Sequence, residues 1–257
     1  MSIANKKLQP LVSIITGTYN SSKFITDCVD SINNQNYKNI EHIIIDGNSK
    51  DETVKIIKNI PNRVSRLISE TDDGIYDAMN KGLKLAEGEI VGILNSDDFY
   101  SSDNVLEEVV KAFQDPSIEC VYGDLDYVEQ LNTDNTIRKW TTGQYKPNAF
   151  KKGWHPAHPS FFVRNSVYNK YGYFKLEFGL AADFELMLRF IEKNKINSKY
   201  LPFSMVKMRL GGATNKNLKN IIQGNKECIA AFKSNDIKVS LAYPLYRLLP
   251  KLKQFMK

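Results

Sequence analysis

Several features that would announce a function are missing from this sequence. Its 257 residues include only three cysteines and three histidines. Cys28, Cys120 and Cys228 stand alone, without metal-ligand spacing, and are expected as buried free thiols in a reducing compartment. His155 and His158 could ligate zinc by residue type, but no third ligand follows at a fitting spacing. There is no G-x-G-x-x-G fingerprint and no P-loop. Any phosphate must then be held by metal and side chains, not by a glycine cradle. The stretch Met1 to Pro10 is polar, with Lys6 and Lys7 and no apolar segment of signal-peptide type. No run approaches the roughly 18 apolar residues of a membrane span, so the chain reads as cytoplasmic. Internal repeats and low-complexity segments are absent too.

What is present is an ordinary globular composition, 42% hydrophobic and 25% charged, which excludes wholesale disorder. The net charge of +6 suits an anionic ligand, a nucleic acid or an anionic membrane. The basic residues are scattered except in the tail, which argues against nucleic acid. Residues 10–115 alternate between two periods. Leu11–Thr16, Ile40–Ile45, Val64–Ile68 and Ile90–Leu94 read as buried strands. Helical spacing follows each of them, in Phe24–Ile32, Asp51–Ile57, Ile75–Ala86 and Asp103–Phe113. This order predicts an α/β fold with a doubly wound, mainly parallel sheet, whose ligands bind beyond the carboxyl ends of the strands.

After Asp115–Pro116 the pattern changes. Residues 116–215 read as a mixed half sharing the same core: strands at Cys120–Val128, Ile137–Thr142 and Phe161–Val163, then helices at Asn165–Tyr171 and Ala181–Glu192. Tyr200–Leu210 reads as one or two strands broken at Pro202, and a last helix covers Asn217–Phe232, within a C-terminal helical segment at 216–240. Residues 1–240 are thus expected as a single domain. Residues 241–257 form a basic amphipathic tail carrying Arg247, Lys251, Lys253 and Lys257 without an acid, suited to an anionic membrane surface or to packing on its own domain.

The chemistry concentrates at strand ends. Ile90–Leu94 runs into Asn95-Ser96-Asp97-Asp98, and two adjacent carboxylates at the end of a buried strand call for compensation. A hard divalent cation, Mg²⁺ or Mn²⁺, bound by Asp97 and Asp98 would supply it and would also bridge a diphosphate. Ile40–Ile45 ends in Asp46-Gly47-Asn48-Ser49, where an acid can accept from a nucleobase or ribose. Leu11–Thr16 ends in Gly17-Thr18-Tyr19-Asn20. The segment Glu70–Gly82 is unusually polar. Asp77, Asn80 and Lys81 adjoin on its helical face, and Lys81 could meet a phosphate.

Taken in order, Val12–Asn20, Ile45–Thr53, Gly74–Gly82, Ala86–Glu89 and Asn95–Asp98 resemble the family 2 glycosyltransferases of the GT-A fold. The bacterial branch that builds O-antigen, capsule and exopolysaccharide is the nearest in pattern, and the resemblance spans roughly Pro10 to Gly212. It implies inverting transfer from a UDP-sugar with Mg²⁺ or Mn²⁺. The acceptor would be a glycan, and a polyprenyl-diphosphate-linked one at the inner membrane face fits the basic tail. By resemblance Asp98 binds the metal and Asp97 contacts metal or ribose. Thr18, Tyr19, Asp46, Asn48, Asp72, Asn80 and Lys81 serve the nucleotide-sugar. Many members carry a second acid after the second strand, which touches uracil; here that position is Gly47. Ala182–Arg189 resembles the element that carries the general base, which makes Asp183 the base, with Glu185 facing elsewhere. His158 is expected to line the site, Trp154 stacks on a sugar or belongs to the core, and Gly211-Gly212 resembles a loop near the donor. A sugar nucleotidyltransferase would need a basic Gly-rich loop after the first strand, and Thr16–Ser22 has one Gly and no Arg. An inactive binding scaffold is the other alternative, against which Asp97, Asp98 and Asp183 speak.

Overall fold

The computed structural model describes residues 9–211, 218–240 and 242–247. Four β-branched runs form β1 (Val12–Thr18), β2 (Ile40–Asp46), β3 (Val64–Ser69) and β4 (Ile90–Ile93). They lie parallel in the order β3-β2-β1-β4. Parallel pairing requires crossovers, and α1 (Ile25–Asn33), α2 (Thr53–Asn59) and α3 (Ile75–Leu85) provide them. β5 (Phe99–Tyr100) and α4 (Val105–Ala112) close this half.

The second half extends the same sheet. It contributes β6 (Cys120–Val128), β7 (Thr136–Trp140), β8 (Phe161–Arg164) and β9 (Ser198–Arg209), with α5 (Asn165–Tyr171), α6 (Ala182–Met187) and α7 (Leu218–Ser234). The strand order continues β4-β8-β6-β9-β5, with β7 paired to β6. β8 runs antiparallel to both β4 and β6, whereas β9 runs parallel to β6. The sheet is therefore mixed, parallel through β3-β2-β1-β4 as the sequence predicts.

Successive strand side chains point to opposite faces. Val12 and Ile14 meet Cys28 and Ile32 of α1 and Val105 and Val109 of α4. Ile15, Val91 and Ile93 belong to the other face, with Met79 and Leu83 of α3, Phe184 of α6 and Phe232 of α7. Both faces are covered, which is why the strands read as unbroken apolar runs instead of alternating ones. Gly82 sets the depth of α3: a Cβ there would lie 2.4 Å from Ile15 Cγ2. The missing side chain lets α3 lie directly on β1 and brings its N-terminal turn to the strand ends.

Three elements differ from the sequence reading. β5 is only two residues long, too short to leave a periodic signal. The helix expected over Ala181–Glu192 is α-helical only to Met187 and continues as a π-helix over Leu188–Lys193. Pro202 does not break β9. The β6–β9 register shifts between Tyr122 and Asp124, opposite the stretch between Tyr200 and Ser204, so the missing N–H falls at an irregularity of the ladder. Of the basic tail, residues 241 and 248–257 lie outside the described residues. Residues 243–247 are helical, and Tyr243 is buried against Phe184 and Phe232. Among the described residues no helix is long and apolar enough to cross a membrane.

Candidate active site

The loop after β4 carries both metal candidates. Asp98 is fully buried. Its Oδ2 accepts from the Asn95 side-chain amide at 2.9 Å, while its Oδ1 has no partner. Burial pushes the Asp98 carboxyl well above the usual range, and the charge of Asp97 adds to the effect. Burial also raises Asp97, against the lowering influence of Arg209 and His158. Arg209, on β9, donates to the Asp97 backbone carbonyl at 2.7 Å and pairs with Asp27, pinning the loop from the far half. An orphaned, buried carboxylate oxygen beside a second acid is costly without a cation. The donor set is all oxygen, so it fits Mg²⁺ or Mn²⁺. Among the described residues no three His, Cys, Asp or Glu gather as a ligand set. Asp97 and Asp98 could thus hold only part of a coordination shell, leaving positions for ligand oxygens.

Across from this loop stands Asp183, in the first turn of α6, with its side chain 23% exposed. Its Oδ1 accepts from the Tyr76 hydroxyl at 3.2 Å and from the Phe184 backbone N–H at 2.8 Å. Its Oδ2 lies 3.3 Å from His158 Nδ1. Burial acts to raise the Asp183 pKa, but the hydrogen bond and charge of His158, with smaller help from His155 and the Phe184 N–H, bring it down to about 2. His158 Nε2 in turn lies 3.4 Å from Asn95 Nδ2. Asp183, His158, Asn95 and Asp98 therefore form one continuous polar chain, with an ionised carboxylate at one end and the metal candidates at the other.

The remaining predicted residues divide into those that face the strand ends and those turned inward. Thr18 is 2% exposed, and its Oγ1 has no partner. Tyr19 presents a 60% exposed ring beside it in sequence. Asn48 adopts φ 63° and accepts from Lys50 at 3.0 Å. Asp72 accepts from the Gly74 N–H through Oδ1 at 2.9 Å. Its Oδ2 lies 2.6 Å from where a Cβ on Gly47 would stand, so it occupies the space of the missing side chain.

Asp46, Asn80 and Lys81 are committed to internal contacts. Asp46 is fully buried and accepts from the Ser49 N–H at 3.0 Å, the Ser69 hydroxyl at 2.6 Å and the Ser49 hydroxyl. Asn80 exchanges two 2.9 Å hydrogen bonds with the Phe174 backbone, which engage both the nitrogen and the oxygen of its amide. Lys81 pairs with Glu70 at 2.9 Å and Asp77 at 3.4 Å and donates to the Thr71 carbonyl. Trp154 packs among Tyr122, Tyr145 and Phe150 and donates to the Thr142 carbonyl, a core arrangement. Glu185 is fully buried with Arg189, Lys175 and Asn235, well engaged away from the cleft. Gly212 lies outside the described residues.

Two participants escaped the sequence reading, Tyr76 and Asn95. Tyr76 stands one helical turn before Asn80, so both project from the same face of α3 toward the segment that precedes α6. Asn95 sits within the quoted strand-end motif, but its dual contact depends on where His158 comes to lie.

Comparison with known proteins agrees with this architecture. The family described as Glycosyl transferase family 2 matches residues 13–172. An uncharacterized glycosyltransferase of Mycobacterium tuberculosis is 33% identical over 189 residues, 70% of this chain and 68% of its own. The crystal structure of S. aureus TarS superposes with a TM-score of 0.65 at 18% identity, covering 96% of this chain and 44% of that chain. This chain thus spans less than half of TarS, whose 1–349 segment was crystallised in complex with UDP-GlcNAc. Mannosyltransferase PcManGT from Pyrobaculum calidifontis, in complex with GDP-Man and Mn²⁺, gives a TM-score of 0.66 at 20% identity, over 96% of this chain and 74% of that one. The fold is that of the GT-A glycosyltransferases, and the chain belongs to glycosyltransferase family 2.

Proposed function

We propose that this glycosyltransferase moves a sugar from a UDP-sugar to a hydroxyl of a glycan acceptor with inversion at the anomeric carbon. The observation that carries the proposal is the chain Asp183–His158–Asn95–Asp98. Inversion needs a base on the acceptor side and charge stabilisation on the opposite, leaving-group side. The two ends of this chain are suited to those two tasks. Asp183 is ionised and partly open to solvent, so it can take the acceptor proton. Thr18, with its orphaned hydroxyl, and the exposed ring of Tyr19 would hold the nucleoside. Asp72 would meet the base, and Asp97 the ribose or the cation. When bound, Mg²⁺ or Mn²⁺ held by Asp98 and Asp97 would neutralise charge growing on the departing diphosphate.

An acceptor linked to a polyprenyl diphosphate, presented at the inner face of the plasma membrane, is consistent with the basic tail and the net charge of +6. The ligands of the structural neighbours, UDP-GlcNAc and GDP-Man, span two bases, so the base is the first thing to test. Calorimetric titration of UDP and GDP in Mn²⁺, in Mg²⁺ and in EDTA decides it. UDP binding that disappears in EDTA supports the reading. Preference for GDP would overturn the choice of base, and metal-independent binding would overturn the role of Asp97 and Asp98. Asp183→Asn should leave UDP affinity intact and remove transfer.

A further inference from the structure

Both oxygens of Asp183 are engaged, but unequally. An ionised carboxylate offers about four acceptor positions, two per oxygen. Oδ1 has two donors, the Tyr76 hydroxyl at 3.2 Å and the Phe184 N–H at 2.8 Å. Oδ2 has one neighbour, His158 Nδ1 at 3.3 Å. The tautomer of His158 follows from Asn95. The Asn95 amide nitrogen donates to Asp98 Oδ2 and also approaches His158 Nε2. An amide nitrogen cannot accept, so in the neutral ring Nε2 is the bare nitrogen and Nδ1 carries the proton toward Asp183; in the charged ring Nδ1 donates to Asp183 just the same. One acceptor position remains open on the carboxylate, and it is on Oδ2.

We infer that Tyr76 is a positioning residue for Asp183, holding Oδ1 so that Oδ2 alone receives the proton of the acceptor hydroxyl. The inference rests on the proposed role of Asp183 as the base. In the step, the acceptor O–H bond breaks and its proton joins Oδ2. The freed electron pair forms the new bond to the anomeric carbon, and the bond to the diphosphate breaks with its pair leaving on the diphosphate. A carboxylate free to rotate would present either oxygen and spend part of its time misdirected.

The hydroxyl of Tyr76 is itself held in place. Its ring packs on Phe174 at 5.3 Å between centroids, and Asn80, one turn later on α3, grips the backbone of that same Phe174 in both directions. α3 therefore clamps the segment leading into α6 at two successive turns. Burial, followed by the charge of Asp183, pushes the Tyr76 phenol well above its usual range, so it stays a donor throughout the working pH range. A residue of the donor half thus completes the base of the acceptor half.

The test is Tyr76→Phe, which removes the hydroxyl and keeps the ring on Phe174. Turnover is read as UDP release from UDP-N-acetylglucosamine and UDP-glucose in Mn²⁺ with water as acceptor, beside calorimetric UDP affinity. The expected result is a ten- to hundredfold fall in kcat, with donor KM and UDP affinity within twofold of wild type. Tyr76→Phe combined with Asp183→Asn should be no slower than Asp183→Asn alone, because the tyrosine acts only through that carboxylate. Unchanged kcat, a loss lodged in KM, or losses that multiply in the double variant would overturn the inference. Crystal structures of wild type and Tyr76→Phe give a second readout that needs no turnover: the Asp183 carboxylate should leave its single rotamer in the variant, and an unchanged rotamer overturns the inference. Full turnover by Asp183→Asn would sink the base assignment itself, whereas an inactive Asp183→Asn beside a fully active Tyr76→Phe sinks only the role of Tyr76.

Discussion

His158 Nδ1 lies 3.3 Å from Asp183 Oδ2, and this contact reverses what burial alone would do to the acid. Burial raises a carboxyl pKa, yet Asp183 is held at about 2, chiefly by the hydrogen bond and charge of His158. The folded value lies below the unfolded one. The associated stability is therefore fully present above the unfolded pKa, near 3.8, and is lost as pH falls toward 2. His158→Phe removes the partner and leaves burial dominant. Its kcat–pH profile should gain an acid limb at a pH where wild type is flat, with kcat at pH 7 down by about tenfold or more. His158→Gln, which can still donate, should lie between the two. A His158→Phe profile superimposable on wild type between pH 4 and 9 would refute the assignment.

Asp98 carries the opposite shift. Its folded pKa is raised, so the ionised form is penalised and the metal-free protein is less stable as pH climbs above the unfolded value. Asp98→Asn removes a buried charge while keeping an oxygen for the Asn95 amide. Metal-free Asp98→Asn should be more stable than wild type at pH 8 by about 1–3 kcal/mol, and the gap should shrink toward pH 4. Thermal denaturation in EDTA across that range measures it. The same variant should lose metal-dependent UDP binding. A variant that binds as well as wild type in Mn²⁺ would contradict the metal role, and one less stable at every pH would contradict the electrostatic argument.

The acids that carry these predictions were legible because they stand at the ends of legible elements. β4 is an apolar run that stops at Asn95, and Asp183 opens a helix with a plain apolar face. What stayed hidden depends on tertiary distance. Tyr76 meets Asp183 across 107 positions of chain, and nothing local distinguishes its hydroxyl from a solvated one. Asn80 looked like a donor ligand because it is polar on a helix face beside Lys81. Its partner is a backbone amide and carbonyl 94 residues away, which no pattern of side chains advertises. Asp46 was correctly placed at a strand end, but Ser49 and Ser69 fold over it and use its oxygens for the turn. The switch from α to π geometry at Leu188 likewise leaves the apolar spacing almost unchanged over a single turn.

Arg189, inside that π-helical turn, joins α6, which carries Asp183, to the segment that α3 clamps. It donates to Glu185 at 2.9 Å, to the Tyr173 carbonyl at 2.7 Å and to the Gly172 carbonyl at 3.0 Å. Glu185 has no exposure, so losing Arg189 leaves a buried carboxylate with only Lys175 and Asn235. Breaking a buried pair from one side costs about 3–5 kcal/mol. Arg189→Met should therefore lower the urea midpoint strongly, and the loss should be accompanied by reduced kcat because Asp183 stands two residues from Glu185. Replacing both Arg189 and Glu185 with apolar residues should recover part of the stability. A single variant within about 1 kcal/mol of wild type in urea, well under the about 3 kcal/mol lost when a buried pair is broken from one side, would rule out the pair as the clasp.

Gly47 and Asp72 form the most compact test of the nucleotide end. A Cβ at Gly47 would meet Asp72 Oδ2 at 2.6 Å, closer than real contacts allow, while Asp72 Oδ1 is tied to the Gly74 N–H at 2.9 Å. Gly47→Ala must therefore displace the carboxylate from its place beside Gly74, at a cost below the about 1–3 kcal/mol of an overpacked core because the Asp72 side chain is partly exposed and can move. Asp72→Ala alone should fold normally, since Asp72 is only partly buried, and should weaken UDP binding. In Gly47→Ala with Asp72→Ala the crowding is gone, so thermal stability should return. UDP affinity should not return, because the carboxylate proposed to meet the base is gone as well. Calorimetry and thermal denaturation on the three variants separate the two effects. Recovery of affinity together with stability would show that Asp72 only fills space and leaves the nucleotide to its neighbours.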